Sequence, residues 1–121
     1  SFTFTSKTRI SDGTEIPVIA KELSRFSHLK ALGVNCTPPE LVADIIRNYR
    51  SNTNLPICVY PNSGEIYDGI KKIWKGAPDG RTYGERAKDW LDAGANWIGG
   101  CCRTNPRDIK AVAELRDGAS V

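Results

Sequence analysis

The distribution of apolar residues along the chain predicts four short strands, each followed by a helix. Residues 1–6 alternate phenylalanine with polar side chains, which is the period-two pattern of a strand. Residues 29–35, 55–60 and 97–98 are apolar runs that are too short for helices and are bounded by turn-forming residues. Such runs are typical of strands in a buried parallel sheet. The alternation of strands and helices therefore predicts an α/β fold with a parallel sheet and right-handed crossovers.

Signals for the start of a helix follow each predicted strand. The first helix is predicted to begin after Thr14 as N-cap, and its inward residues at helical spacing are Ile16, Ile19, Leu23 and Phe26. Glutamate stands three residues after Thr37 and after Thr82, which predicts a capping box at the second and third helices. Gly94 is expected to end the third helix, and Asn105 to cap the fourth.

The segment between residues 65 and 80 is the least regular part of the chain. The spacing of its apolar residues allows a short helix, and these residues are Ile66, Ile70, Ile73 and Trp74. Residues 75–80 are expected to form a loop, since they include two glycines and a proline. Long insertions after strands often shape a substrate pocket. Trp74 therefore has two interpretations, a pocket wall or a buried anchor, and the buried anchor is favoured.

Composition narrows the classes of function. The chain has 121 residues, of which 40% are hydrophobic and 26% are charged, as in an ordinary soluble domain with one modest core. The net charge of +3 is scattered without a basic cluster, which argues against a nucleic-acid partner. No apolar run is long enough to span a membrane, so no membrane partner is expected. Four cysteines without a disulfide pattern favour a reducing, cytoplasmic location.

Two adjacent cysteines follow the last predicted strand. Cys101 and Cys102 come directly after Gly99-Gly100, where the chain can turn sharply out of the strand. Consecutive Cα atoms are only about 3.8 Å apart, which is below the usual disulfide range. Two interpretations are open from this pair alone. The thiols bind one metal ion together, or they are small core residues.

Cys36 repeats this arrangement at the end of the second predicted strand. It follows Gly33-Val34-Asn35, and a helix-start signal comes next. Because the carboxyl ends of parallel strands share one edge of the sheet, the three thiols of Cys36, Cys101 and Cys102 can meet. Cys58 lies inside the third predicted strand and is expected to be a buried core residue without metal.

Three segments in order resemble motifs of the homocysteine S-methyltransferase family. They are Gly33-Val34-Asn35-Cys36, Tyr60-Pro61-Asn62-Ser63-Gly64-Glu65, and Gly99-Gly100-Cys101-Cys102-Arg103-Thr104. The resemblance covers nearly the whole chain. Arg103 and the segment from residue 60 to 68 most resemble the branch that uses S-methylmethionine or S-adenosylmethionine.

The resemblance implies a fold, a metal and a reaction. The family fold is a (β/α)₈ barrel, which needs about 250 residues, so residues 1–121 would be its C-terminal half with about four βα units and without the N-terminal half. Cys36, Cys101 and Cys102 would be ligands of Zn²⁺. The reaction would transfer a methyl group from a sulfonium donor to homocysteine and give methionine. The chain alone is expected to be inactive and to need the missing half or a second copy as its partner.

Three further residues are candidates for substrate binding, each with an alternative. Asn62 either orients substrate near the metal or forms a turn before Ser63-Gly64. Asn35 bonds either backbone or substrate, and backbone is favoured. Arg103 either contacts an anionic group or begins the next helix. The rival function for the whole chain is a half-barrel that binds zinc as a structural or interaction module without catalysis.

Overall fold

A computed structural model describes residues 1–76 and 79–119 of the chain. The four helices are α1 Ile16–Leu23, α2 Pro39–Arg50, α3 Tyr83–Ala93 and α4 Pro106–Ala119. The five strands are β1 Leu32–Asn35, β2 Ile57–Tyr60, β3 Ile66–Asp68, β4 Ile73–Lys75 and β5 Trp97–Ile98. Within these residues, no helix has the length and apolar character needed to cross a membrane.

The main sheet is parallel, as predicted. Its order is β1-β2-β5, with Val34 opposite Val59 and Val59 opposite Ile98. The N-terminal segment lies on the other side of β1, where Phe2 forms a parallel bridge to Val34. Four segments of the chain therefore run side by side in one direction. The α/β fold class predicted from the sequence is confirmed.

The first predicted strand is reduced to isolated bridges. The N–H of Phe4 donates to Oγ1 of Thr37 (3.1 Å), and Phe4 bridges Ile10 in the antiparallel sense. The segment thus leaves the parallel sheet after Phe2, although Phe4 stays buried. Its ring packs edge-on against Tyr49 with centroids 5.8 Å apart.

The core lies between the sheet and the helices. Helix α2 packs against α1 and α3, and α3 packs against α4. Four side chains on the apolar face of α2 are fully buried, and these are Val42, Ile45, Ile46 and Tyr49. Burial of such side chains is worth about 1.5–3 kcal/mol each. This layer holds the sheet, and so the carboxyl ends of its strands, in place.

The capping predictions had different outcomes. The capping box of Thr82 and Glu85 is present in both directions, and Gly94 ends α3 in the left-handed conformation at φ 118°. The predictions for Thr14 and Thr37 were wrong. Glu15 and Pro38 occupy the two N-cap positions, and neither makes a side-chain cap bond.

Hydrogen bonds account for the error at Thr37 and accompany the early end of α1. The hydroxyl of Thr37 donates to the carbonyl of Asn35 (3.0 Å) and accepts from Phe4, so it serves the end of β1 rather than α2. Helix α1 ends at Leu23, where Oγ of Ser24 donates to the carbonyl of Lys21 (2.6 Å). Phe26, predicted to face inward on α1, is 62% exposed.

The segment after β2 forms a hairpin, and the predicted short helix was wrong. Strands β3 and β4 are antiparallel, with Tyr67 opposite Trp74. The carboxylate of Asp68 accepts the N–H groups of Ile70 (3.0 Å) and Lys71 (3.1 Å), which makes a turn where the spacing allowed a helix. Trp74 is 46% exposed, so the prediction of a buried anchor was also wrong. Residues 77 and 78 of the predicted loop 75–80 lie outside the described residues.

Candidate metal centre

The sulfurs of three cysteines meet at the carboxyl edge of the parallel sheet. Cys36 follows β1 directly, and Cys101 and Cys102 lie on the turn after β5. Their Sγ atoms all lie within 4.8 Å of one another. Cys36 and Cys101 are joined as a disulfide with Cα atoms 5.5 Å apart, and Cys102 is an exposed free thiol. The convergence predicted from the strand ends is therefore what the fold produces.

Backbone geometry turns Cys36 toward the other thiols. Its φ is 49°, a left-handed conformation that is uncommon for a residue with a Cβ and costs about 1–2 kcal/mol. Its N–H still donates to the carbonyl of Tyr60 (3.3 Å) on β2. The sheet thus holds Cys36 while its chain leaves the strand direction. Strained residues of this kind cluster at functional sites.

Gly100 makes the second turn possible. A Cβ at position 100 would lie 2.7 Å from Cβ of Thr104, which is too close for any other residue type. Thr104 closes the turn, because its hydroxyl donates to the carbonyl of Cys101 (2.7 Å). The two cysteines are thereby placed on a tight turn beyond the strand and not on its opposite faces. We call Gly100–Thr104 the thiol turn.

The loop after β2 is hydrogen-bonded to the thiol turn through backbone groups. The N–H of Cys101 donates to the carbonyl of Pro61 (2.9 Å), and the N–H of Ser63 donates to the carbonyl of Cys102 (3.0 Å). The N–H of Asn62 donates to the carbonyl of Thr37 (3.1 Å), beside Cys36. One loop therefore connects the two chain segments that carry the thiols.

Tyr83 forms a hydrogen bond to the residue just before the thiol turn. Its hydroxyl donates to the carbonyl of Gly99 (2.7 Å) and its ring packs edge-on against Trp90. Burial, with a smaller contribution from the nearby Asp108 carboxylate, raises the pKa of the Tyr83 phenol. The hydroxyl therefore stays protonated at neutral pH and keeps its donor role.

The predicted substrate residues occupy different places around the thiols. Oδ1 of Asn62 accepts the N–H of Cys102 (3.3 Å). Asn35 faces the N-terminal segment, where Oδ1 accepts from Oγ of Ser1 (2.6 Å) and Nδ2 donates to Oγ1 of Thr3 (3.1 Å). The partners of Asn35 are thus side-chain hydroxyls rather than the favoured backbone groups.

Arg103 contacts an anionic group of the protein itself. Its Nε donates to Oε2 of Glu65 (2.9 Å), and its guanidinium carbon lies 4.6 Å from the ring centroid of Trp74. Its φ is 64°, and α4 begins three residues later at Pro106. Glu65 and Trp74 were not predicted from the sequence to be neighbours of the thiol turn. Glu65 could have been predicted from its place in the Tyr60–Glu65 motif. Trp74 could not, because the segment that contains it was interpreted as a helix.

Cys58 lies apart from the cluster. It is half-buried on β2, and burial raises the pKa of its thiol. Within the described residues, the three-cysteine cluster is the one group of at least three metal-ligating side chains close enough to share an ion. Cys58 is not among its members.

The cluster fits a thiolate-bound metal. Sulfurs that bind one tetrahedral ion at about 2.3 Å lie about 3.8 Å apart, and the observed limit of 4.8 Å is close to this spacing. A set of soft sulfur ligands favours zinc over hard cations such as magnesium or calcium. A disulfide between Cys36 and Cys101 is the two-electron oxidised form of the two thiolates, and its neutral sulfurs lack the negative charge that binds a metal ion. The metal-binding form is therefore the reduced one.

Comparison with known proteins defines the family. The profile of the homocysteine S-methyltransferase domain matches residues 1–116. Homocysteine S-methyltransferase YbgG of Bacillus subtilis is 44% identical over 113 residues, which is 93% of this chain and 36% of that protein. The chain belongs to the homocysteine S-methyltransferase family.

Solved structures agree with this assignment. The metallated form of the homocysteine methyltransferase MmuM from Escherichia coli has a TM-score of 0.76 at 33% identity, over 95% of this chain and 34% of that one. The oxidised form of the same enzyme has a TM-score of 0.73 at 34% identity, over 96% of this chain and 35% of that one. The chain thus spans about a third of the length of the relatives that it matches.

Proposed function

We propose that residues 1–121 carry the metal centre of an enzyme that transfers a methyl group from a sulfonium donor to homocysteine. The donor is S-methylmethionine or S-adenosylmethionine, and the product is methionine. Zn²⁺ is held by Cys36, Cys101 and Cys102 in their thiolate forms. The observation that carries this proposal is the convergence of three thiols, within 4.8 Å of one another, at the carboxyl edge of the sheet.

The transfer is a single displacement at carbon. The homocysteine thiol loses its proton to solvent, and a lone pair on its sulfur forms a bond to the donor's methyl carbon. The bond from that carbon to the sulfonium sulfur breaks, and its electron pair leaves with a neutral thioether. When bound, zinc supplies Lewis acidity that lowers the pKa of the homocysteine thiol from its free value of about 8.5.

The residues of the chain hold and orient the site. The strained backbone of Cys36 and the tight thiol turn fix the ligand sulfurs before any substrate binds. Asn62 fixes Cys102 through its backbone N–H. Such fixed geometry is valuable because the displacement needs its atoms in line, and positioning supplies much of the rate. Among the described residues, no fourth His, Cys, Asp or Glu belongs to the cluster, which is consistent with a position kept for substrate.

We also propose that residues 1–121 form the last four βα units of a (β/α)₈ barrel. Four parallel segments side by side support this arrangement. The outer edge of β5 is uncovered, with Trp97 54% exposed, although the sequence predicted a buried strand there. The N-terminal barrel half would cover this edge and bind the homocysteine amino group. Residues 1–121 alone are then inactive. The metal-binding thiolates need a reducing environment, which favours a cytoplasmic location.

A chimeric chain tests the reaction. Residues 1–121 would replace the matching region of the Bacillus subtilis relative, which supplies the remaining two thirds of its length. The chimera should form methionine from homocysteine with one of the two sulfonium donors and lose this activity on removal of zinc. A folded, zinc-loaded chimera without activity toward either donor would support the alternative, a zinc module without catalysis.

A further inference from the structure

An aromatic hairpin stands beside the thiol turn. Strand β3 continues directly from the loop that grips Cys101 and Cys102, and it carries Tyr67. Strand β4 carries Trp74 opposite Tyr67, with ring centroids 5.3 Å apart. Tyr67 is 51% exposed and Trp74 is 46% exposed. Large aromatic side chains left open next to a reactive centre are candidates for ligand contact.

The face of Trp74 already carries a cation. The guanidinium of Arg103 lies over the ring at 4.6 Å from its centroid. The guanidinium is also paired with Glu65, whose carboxylate accepts a hydrogen bond from Nε of Arg103 at 2.9 Å. Arg103 directly follows Cys102, so its side chain connects the ring of Trp74 to the thiol turn. The surroundings of Trp74 therefore favour positive charge beside the hairpin that follows the loop bonded to the thiol turn.

We propose that Trp74 binds the sulfonium group of the methyl donor, and that Arg103 occupies its ring face until the donor arrives. This inference rests on the proposed function, because that function supplies a cationic substrate. A sulfonium ion has no hydrogen-bond donor, so charge and an aromatic face are the means by which protein side chains recognise it. Glu65 adds a negative charge beside the ring. Homocysteine carries no cation at its sulfur, so the recognition applies to the donor.

Substitution of Arg103 tests whether Arg103 and the donor compete for the ring of Trp74, because the direction of the change in the donor KM depends on it. Arg103→Gln keeps a planar, polar end on a shorter side chain and removes the charge from the ring face. The donor KM of the chimera should then fall, because the donor no longer displaces a cation. A rise in the donor KM would instead show that Arg103 binds the donor's carboxylate, and it would overturn the exchange of cations on Trp74.

Substitution of Trp74 tests the ring directly. Trp74→Leu should raise the donor KM about threefold to thirtyfold, which corresponds to loss of one cation–aromatic contact. The homocysteine KM and the zinc content should not change. Trp74→Phe keeps an aromatic face and should restore most of the donor affinity. Ile73→Leu is the control on the same strand, since neighbouring strand residues point to opposite faces. An unchanged donor KM in an active Trp74→Leu chimera would refute the proposal.

A binding measurement is independent of turnover. The zinc-loaded chimera, labelled with 5-fluorotryptophan, would be titrated with S-methylmethionine or with methionine, whose sulfur is neutral. The fluorine resonance of Trp74, assigned with the Trp74→Phe variant, should shift in a saturable way with S-methylmethionine and stay in place with methionine. Equal shifts with both compounds, or a shift of Trp97 alone, would contradict the inference. An inactive chimera in which Trp74 still responds would contradict only the proposed reaction.

Discussion

The backbone N–H of Cys102 donates a hydrogen bond to Oδ1 of Asn62 across 3.3 Å. The two residues are far apart in sequence and lie on the turns that follow β5 and β2. Asn62 therefore acts on a thiol of the candidate metal centre through that residue's backbone. Together with the bonds of Pro61 and Ser63, it makes the two turns a single unit.

Asn62→Ala should weaken zinc binding. The variant leaves the Cys102 N–H without its acceptor, and one such bond is worth about 1 kcal/mol, or about fivefold in affinity. Asn62→Asp keeps an acceptor at the same place and should bind zinc more tightly than the alanine variant. Competition with a chromophoric zinc chelator measures both. Equal affinities for the alanine and wild-type chains would show that Asn62 has no role in holding the thiol turn.

Serine substitutions should show which cysteines are zinc ligands. Cys36→Ser, Cys101→Ser and Cys102→Ser should each lose zinc and, in the chimera, activity, because an alcohol is a poor zinc ligand at neutral pH. Elemental analysis of the reduced, purified variants gives the zinc content. Full zinc occupancy or full turnover in any one of them would remove that residue from the proposed ligand set.

Cys58 should behave differently from those three. Cys58→Ala should retain one zinc per chain and lower the free energy of unfolding by about 1 kcal/mol, because a half-buried side chain on β2 loses its contacts. Denaturant unfolding and zinc analysis test the two parts. Loss of zinc from a folded Cys58→Ala variant would show that this thiol had been wrongly excluded.

The pH dependence of alkylation gives a second test of Cys58. Burial raises the pKa of its thiol. Alkylation needs the thiolate, so at a given pH Cys58 holds less of the reactive form than an ordinary thiol. The midpoint of its alkylation rate with iodoacetamide should therefore lie above that of a free cysteine peptide, as measured by mass spectrometry. A midpoint below that of the peptide would contradict this environment.

The sequence predicted the thiol cluster because its causes are local. Each cysteine stands at the end of an apolar run with glycine before it, and parallel strands bring such ends together. The capping box of Thr82 and Glu85 was also predictable, since both partners lie within one helical turn.

The errors came from bonds that the sequence does not display. Ile66, Ile70, Ile73 and Trp74 fit helical spacing, but Asp68 bonds two backbone N–H groups and reverses the chain. Thr37 was predicted to cap α2, but its hydroxyl accepts from Phe4, which is distant in sequence. The contacts of Arg103 with Glu65 and Trp74 likewise depend on folding of the hairpin.

The helix cap offers a test of the fold with an internal control. Thr82→Ala should lower the free energy of unfolding by about 1 kcal/mol, since it removes one side of the capping box. Thr14→Ala should change it by less than about 0.5 kcal/mol, because Thr14 does not cap α1. Thermal unfolding of both variants measures the difference. Equal effects would contradict the assignment of the caps.

Residues 1–121 alone should associate in solution. A groove of about 490 Å³ runs between β5 and α4, and its apolar lining includes Leu91, Trp97, Ile98, Ile109 and Val112. Trp97 is 54% exposed and Ile109 is 42% exposed. Light scattering should find dimers or larger species, and Trp97→Ser should reduce them more than Trp74→Ser, which removes a similarly exposed ring elsewhere. A well-folded monomer would contradict this expectation.

X-ray absorption at the zinc edge, on the zinc-loaded chimera with and without homocysteine, tests the central claim most directly. Three cysteine sulfurs should surround the metal at about 2.3 Å, with a lighter atom in the fourth position. Addition of homocysteine should replace that atom with a fourth sulfur. Four sulfurs before homocysteine is added, or a coordination that homocysteine leaves unchanged, would contradict the account of Cys36, Cys101 and Cys102 as an open catalytic site.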